Sequence, residues 1–220
     1  MKQTIGVIGS TGDLGAQLLQ RLRDRDFEVR ECAPSLNNSI TINDIAAQCD
    51  IVHFCAPLAA LTQLTAIPKG IIILHDSVMS SSKQASERFL ESNGAVVHML
   101  MNDQQSVVVA RDMPHSQPIA EHMAALECVP HFMTVREHDT MIARTQGPLA
   151  LLCETLLPYL NTIDDHGLLT PSGQLLTQTL RSRELAWTRE TIHSILQNPE
   201  LKTLLHDMQQ TLAESNKKTL

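Results

Sequence analysis

The stretch Ile5–Gly15 reads IGVIGSTGDLG: a β-branched run, glycines at 9, 12 and 15, and then a helical pattern. Few features limit a fold as strongly. A strand that ends on glycine and enters a helix within a few residues must reverse direction, and glycine supplies both the bend and the room for helix to pack on strand. The new helix start presents unpaired N–H groups that favour an anion. The common form of this turn is G-x-G-x-x-G. Here the spacing is G-x-x-G-x-x-G, with Ser10 on the first-glycine position and Gly9 one residue early. Gly12 and Gly15 keep the parts of close approach to a pyrophosphate and of helix–strand packing. Gly9, Ser10, Thr11, Gly12, Asp13, Leu14 and Gly15 are therefore the expected cradle of a dinucleotide, NAD or NADP.

The choice between the two nucleotides stays open. An acidic residue at the end of the second strand would hold the adenosine ribose hydroxyls and favour NAD. That strand reads FEVRECAPS. Glu31 is close, but the end position is nearer Ala33, and Arg30 or Ser35 could instead meet a 2′-phosphate.

Downstream, short β-branched runs alternate with helical patterns. The runs Thr4–Ile8, Phe27–Glu31, Ile51–Cys55, Ile71–His75, Ala95–Met99 and Ser106–Ala110 predict strands, with a last one near Phe132–Val135. Leu14–Arg25, Ile42–Gln48, Leu58–Thr65 and Ser81–Ser92 read as helices. Runs apolar at every position, such as IIIL, belong to strands buried on both faces. The order predicts an α/β fold with a Rossmann-type, doubly wound, mostly parallel sheet. Near Glu137 the pattern changes and strands cease. His138–Leu160 has helical spacing with a kink expected at Pro148. Thr170-Pro171 reads as an N-cap and first helical residue, opening a helix expected to run to Gln197. Asn198-Pro199 repeats the signal, and Leu201, Leu204, Leu205, Met208 and Leu212 line one face of a last helix. The division is a nucleotide-binding domain over 1–136 and a small all-α domain over 137–220. Three helices make a thin core, so the helical part is expected to pair with a second copy as a homodimer.

Composition narrows the function classes. The net charge of −7 leaves no basic footprint, which argues against nucleic acid. No apolar run reaches the length of about 18 residues that a membrane span needs. Five cysteines without a C-x-x-C pair read as reduced thiols of a cytoplasmic protein. Ten histidines lack the spacing of a metal motif.

Several segments, in order, resemble the prephenate/arogenate dehydrogenase family of tyrosine biosynthesis. GVIGSTGDLGAQLLQRLRDRDFEV resembles the family's opening, and CDIVHFCAPLAAL its strand ending in a small-x-Pro loop beside the nicotinamide, at Cys55, Ala56 and Pro57. PKGIIILHDSVMS resembles the next strand, ending in Asp and a Ser-Val pair. EHDTMIA is similar to the family's Glu-His-Asp start of the interdomain helix, and ILQNPEL to a later helix break. The resemblance implies an NAD(P)-dependent oxidative decarboxylation of a small anionic substrate, prephenate or arogenate. It implies a catalytic His assisted by a strand-end Ser, and Arg residues that clamp the substrate.

The carry-over is uneven. A gap-free match puts the catalytic His on Leu100, while a two-residue shift puts it on His98. Ser77 matches the assisting Ser. The family's helix His falls on Ala150 and its Arg on Leu185, with Arg181 and Arg189 four residues to either side. His98 and Ser77 are the expected catalytic residues, and Arg181 and Arg189 the expected substrate clamps. Two other functions stay open: a nucleotide-binding relative with a regulatory or interaction role, and an NADP-linked reductase for another substrate.

Overall fold

The strands β1 (Thr4–Ile8), β2 (Glu28–Cys32), β3 (Ile51–Phe54), β4 (Ile71–His75), β5 (Gly94–Met99), β6 (Ser106–Ala110) and β7 (Val129–Met133) form one sheet in the order β2-β1-β3-β4-β5-β6-β7. These positions come from a computed structural model that describes residues 3–36, 40–65, 68–85, 87, 93–100, 105–164 and 166–218. The pairs from β2 through β5 are parallel, β6 runs antiparallel to β5, and β7 is parallel to β6. The reversal has a simple cause. A parallel crossover needs about a dozen residues or more, and the short link between Met99 and Ser106 returns antiparallel. β3, β5 and β6 are buried at every residue, whereas the edge strands β2 and β7 are partly exposed. Pro130, which has no N–H to donate, sits on edge strand β7, where its loss is tolerated.

Helices cover both faces of this α/β, Rossmann-type sheet. α1 (Asp13–Asp24) buries Leu18, Leu19 and Leu22. α2 (Ile42–Gln48) opens with a reciprocal Thr41–Asp44 capping box and packs so closely that a Cβ on Gly6 would lie 2.3 Å from Ile45. A 3₁₀ turn (Leu58–Gln63) follows β3, and α3 (Met79–Ala85) follows β4. The second half of the helix expected over Ser81–Ser92 lies largely outside the described residues. α4 (Ser116–Ala125), between β6 and β7, was not anticipated from the sequence.

α4 completes an unusual buried row. On β3, His53 is fully buried; its Nδ1 lies 2.9 Å from His75 Nε2 and its Nε2 lies 2.9 Å from His122 Nε2. A neutral imidazole has one donor and one acceptor, so the two bonds must run in the same sense. His75 Nδ1, at the end of the row, is buried with no hydrogen-bond partner. Burial pushes all three below the usual 6.5, His75 to about 3 and His122 to about 4, with repulsion from His122 adding to the effect on His53 and His75. The native row stays neutral while an unfolded chain takes up protons near 6.5. Stability is therefore expected to fall as pH drops from about 6.5 toward 4, by roughly 1.4 kcal/mol per pH unit for each titrating histidine. Thermal unfolding across that range checks this; a flat profile, or one unchanged in His75→Gln, would contradict it.

The chain divides into two compact units, Met1–His138 and Asp139–Leu220. α5 (Val135–Thr145) begins in the first. The second also holds α6 (Gly147–Thr155), α7 (Leu157–Asp164), α8 (Pro171–Ala186), α9 (Arg189–Gln197) and α10 (Pro199–Lys218). The single kinked helix expected over His138–Leu160 is broken twice. Pro148 and Pro158 each remove an N–H near the start of a new segment. The helix expected from Pro171 to Gln197 also stops, at Trp187, because Thr188 caps a new one by accepting from Thr191 N at 3.1 Å. The starts at Thr170-Pro171 and Asn198-Pro199 stand as expected.

One core cluster joins Ile142, Ala150, Ile192 and Ile195, and another joins Cys153, Leu157 and Leu180. Buried Asn198 donates to the Asp139 carbonyl at 2.8 Å and accepts from Glu200 N at 3.0 Å. Leu201 is buried as expected of the last helix, Met208 is half exposed, and the Leu212 side chain lies outside the described residues. Among the described residues no helix is long and apolar enough to cross a membrane.

Candidate functional site

Because β1, β3, β4 and β5 are parallel, their carboxyl ends share one edge of the sheet. β1 sits between β2 and β3, so the chain departs to opposite sides there, and the crevice at such a switch point is the usual ligand position of this class. The glycine turn stands at that point. Gly9 N donates to Cys32 O at 2.8 Å, Cys55 N to Ile8 O at 2.8 Å and Gly12 N to Gly9 O at 3.1 Å, which draws the ends of β1, β2 and β3 together.

The three glycines have different reasons to be glycine. Gly9 has φ +83°, and a Cβ there would lie 2.8 Å from Ala56 N and 2.9 Å from the Cys55 carbonyl. A Cβ on Gly15 would lie 2.1 Å from Gly9 O. Both are required by the chain's own packing. Gly12 is not: its φ of −76° and ψ of 163° suit any residue, and an added Cβ would meet only Gly9 O, at an ordinary 3.5 Å. It is exposed and begins α1 with no side-chain cap over the first N–H groups. Beside it Ser10 is 3% exposed, yet its hydroxyl has no partner. Open backbone, uncapped amides and a spare buried hydroxyl are what a pyrophosphate would use. Asp13 and Leu14 contribute their position in the first turn, with Asp13 exposed. Cys55, Ala56 and Pro57 follow β3 on the same edge; burial pushes the Cys55 thiol up, so it stays protonated.

The end of β2 resolves differently from its charged residues. Arg30 bonds Gln48 of α2, and Glu31 pairs with Arg23 of α1 at 2.6 Å. Ala33 is buried, and exposed Ser35 donates to Thr11 of the glycine turn at 2.9 Å.

Further along the edge, Asp76 N donates to Val97 O at 3.1 Å, tying the end of β4 to β5. The Asp76 carboxylate accepts from Val78 N at 3.3 Å and from Ser82 Oγ at 2.7 Å, anchoring the start of α3. Ser77 is half-buried in the bend between them. On β5, His98 is buried with its Nδ1 2.9 Å from Nε2 of His138, which is fully buried, and the rings meet edge to face. Glu137 explains how His138 comes to be there. It forms a capping box with Thr134, accepting from Thr134 N at 2.7 Å while its own N donates to Thr134 Oγ1 at 3.1 Å. This fixes the start of α5 and so the direction of the next residue. Sequence reasoning did not pair His98 with His138; the signal was there in Thr134-x-x-Glu137 followed by His.

In the second unit, Arg181 is committed locally, donating to Asn161 Oδ1 at 2.9 and 2.7 Å and pairing with Asp164 at 3.1 Å. Arg189 is exposed at the start of α9. The two arginines stand on different helices rather than on one helix face, because of the break at Trp187. Ala150 is part of a core, and Leu185 is 89% exposed. Among the described residues no three His, Cys, Asp or Glu side chains converge to hold a metal ion.

No family model and no curated protein sequence matches the chain. Solved structures do. A Corynebacterium glutamicum protein assigned as a prephenate dehydrogenase superposes with a TM-score of 0.74 at 16% identity, over 98% of this chain and 81% of that one. The chain has the prephenate/arogenate dehydrogenase fold. Aquifex aeolicus prephenate dehydrogenase, in complex with hydroxyphenyl propionate and NAD+, gives 0.73 at 11% identity over 99% and 90%. Synechocystis arogenate dehydrogenase gives 0.68 at 15% identity over 98% and 93%. The likeness spans nearly the whole chain, including both the sheet and the helical part.

The glycine geometry separates folding from ligand room. Gly15→Ala is expected to destabilise the protein by about 2 kcal/mol or more, because backbone must move to admit the methyl. Gly12→Ala is expected to cost less than about 1 kcal/mol. Chemical denaturation of the two variants measures the difference, and equal losses would contradict it.

Proposed function

We propose that this protein is an NAD(P)-dependent dehydrogenase acting on prephenate or arogenate, with His98 as its base. The observation that carries the reading is the buried His98–His138 pair, on the same strand-end edge as a glycine turn with room for a pyrophosphate. The dehydrogenase fold of the solved relatives supports it.

The Gly9–Gly15 turn would hold the pyrophosphate on the amides at the start of α1, with Ser10 Oγ as a further donor. Cys55, Ala56 and Pro57 would border the nicotinamide side. When bound, the nicotinamide supplies the hydride acceptor. His98 takes the substrate's hydroxyl proton at Nε2, the nitrogen turned away from His138, as hydride leaves the same carbon. The ring C–carboxylate bond breaks, carbon dioxide departs, and its electron pair completes the aromatic ring. His98 returns the proton to the phenol oxygen, so no net proton is released from prephenate. Ser77, in the adjoining strand-end bend, would orient His98 or the hydroxyl. His138 fixes the His98 ring and tautomer through Nδ1. Arg189 is the better candidate for binding substrate carboxylate, since Arg181 is already paired. The exposed Leu168, Leu175 and Leu185 support a homodimer built through the helical part.

Turnover of prephenate or arogenate with NAD or NADP, followed by nucleotide absorbance, is the direct test. His98→Asn is expected to lower kcat about 10²-fold or more while nucleotide binding is retained. Gly12→Ala is expected to weaken nucleotide binding without loss of fold. Absence of turnover with every pairing, at high enzyme concentration, would sink the assignment. A second reading draws on the apolar Ala150 and Leu185 and the committed Arg181: a nucleotide-binding protein without this chemistry. It predicts thermal stabilisation by nucleotide and none by prephenate.

A further inference from the structure

We infer that the hydroxyl pair Thr11–Ser35 is the element that reads the adenosine ribose, and that it admits a 2′-phosphate, so the protein binds NADP as readily as NAD. The inference rests on the dinucleotide reading above and deepens it.

Sheets of this kind read the ribose at the carboxyl end of the second strand, beside the glycine turn. A carboxylate there holds the 2′,3′-diol and repels a 2′-phosphate; a cation there does the opposite. Here both charged candidates have partners on the flanking helices. Glu31 is held by Arg23 on α1, and Arg30 by Gln48 on α2. The residues immediately after β2 are Ala33, which is buried, Pro34 and Ser35. The backbone bond from Gly9 N to Cys32 O sets this strand end against the turn. Ser35 Oγ then donates to Thr11 Oγ1 at 2.9 Å, closing the two loops on each other with both side chains exposed. The pair offers hydroxyls that can donate to phosphate oxygens or exchange bonds with a ribose diol. No carboxylate stands in the short segment Ala33–Leu36 to oppose a phosphate.

Binding is measured directly on the full-length protein, by calorimetry with NAD and NADP and by competition with 5′-AMP and 2′,5′-ADP. Wild-type affinities for NAD and NADP are expected within about tenfold of each other. Ser35→Asp, at an exposed position that leaves the fold intact, is expected to weaken NADP and 2′,5′-ADP more than tenfold while NAD changes less than threefold. Ser35→Ala is expected to weaken NADP several-fold with NAD nearly unchanged, and Arg30→Ala to leave the NADP-to-NAD ratio alone. A wild-type preference for NAD above tenfold overturns the inference. So does an unchanged ratio in Ser35→Asp, or a collapse of NADP binding in Arg30→Ala, which would assign the reading to Arg30. Failure of the wild type to bind either nucleotide overturns this inference and the dinucleotide reading together. Binding of both without turnover of prephenate or arogenate leaves this inference standing and rejects only the reaction.

Discussion

The close seating of Gly15 on the Gly9 carbonyl is the contact on which the carboxyl edge depends. There is no space for a side chain between them, so α1 can begin immediately above the end of β1. From the same turn, Gly9 N reaches the end of β2 and the residues after β3 pack against the Gly9 α-carbon. Three strand ends, a helix start and the Ser35–Thr11 bridge are thus set by two positions that tolerate no Cβ. Gly12, between them, answers to no such demand from the chain. That contrast separates what the fold needs from what a ligand would need.

The rest of the edge is held by polar side chains at the helix starts. Asp76 fastens the start of α3, Glu137 and Thr134 fasten the start of α5, and the two helix starts frame the end of β5. His98 and His138 meet as a consequence. The separate row His75–His53–His122 ties α4 to β3 and β4 with directional bonds. Burying three imidazoles carries a cost in acid, because each must remain neutral. The bond that joins α4 to β3 therefore carries a pH dependence.

Much of the fold was legible. The strand runs, the glycine turn and the helix starts at Thr170 and Asn198 all obey local rules: β-branched runs, positive φ, and caps that satisfy first-turn N–H groups. Missed features had a different character. The breaks at Leu156 and Trp187 came from a second proline and a capping threonine inside patterns that looked continuous. α4 lacked a start signal, since His115, which precedes it, has a left-handed backbone and provides no side-chain cap. Gln48 and Arg23, which bond Arg30 and Glu31, lie 18 residues after and 8 residues before them and were invisible to local reading.

The sequence by itself determined the strand–glycine–helix opening, the mostly parallel sheet and the change to an all-helical second unit, because those follow from side-chain period and backbone sterics within a few residues. Only the tertiary structure decided which charged groups were already spent and which polar groups were left over. Arg30, Glu31 and Arg181 read as candidate ligand contacts and proved to be paired, whereas the buried Ser10 hydroxyl was left without a partner, Gly12 stayed exposed, and Thr11 and Ser35 bonded only each other at the edge. Pairing depends on neighbours brought together by strand order and helix packing. No count along the chain could have supplied it.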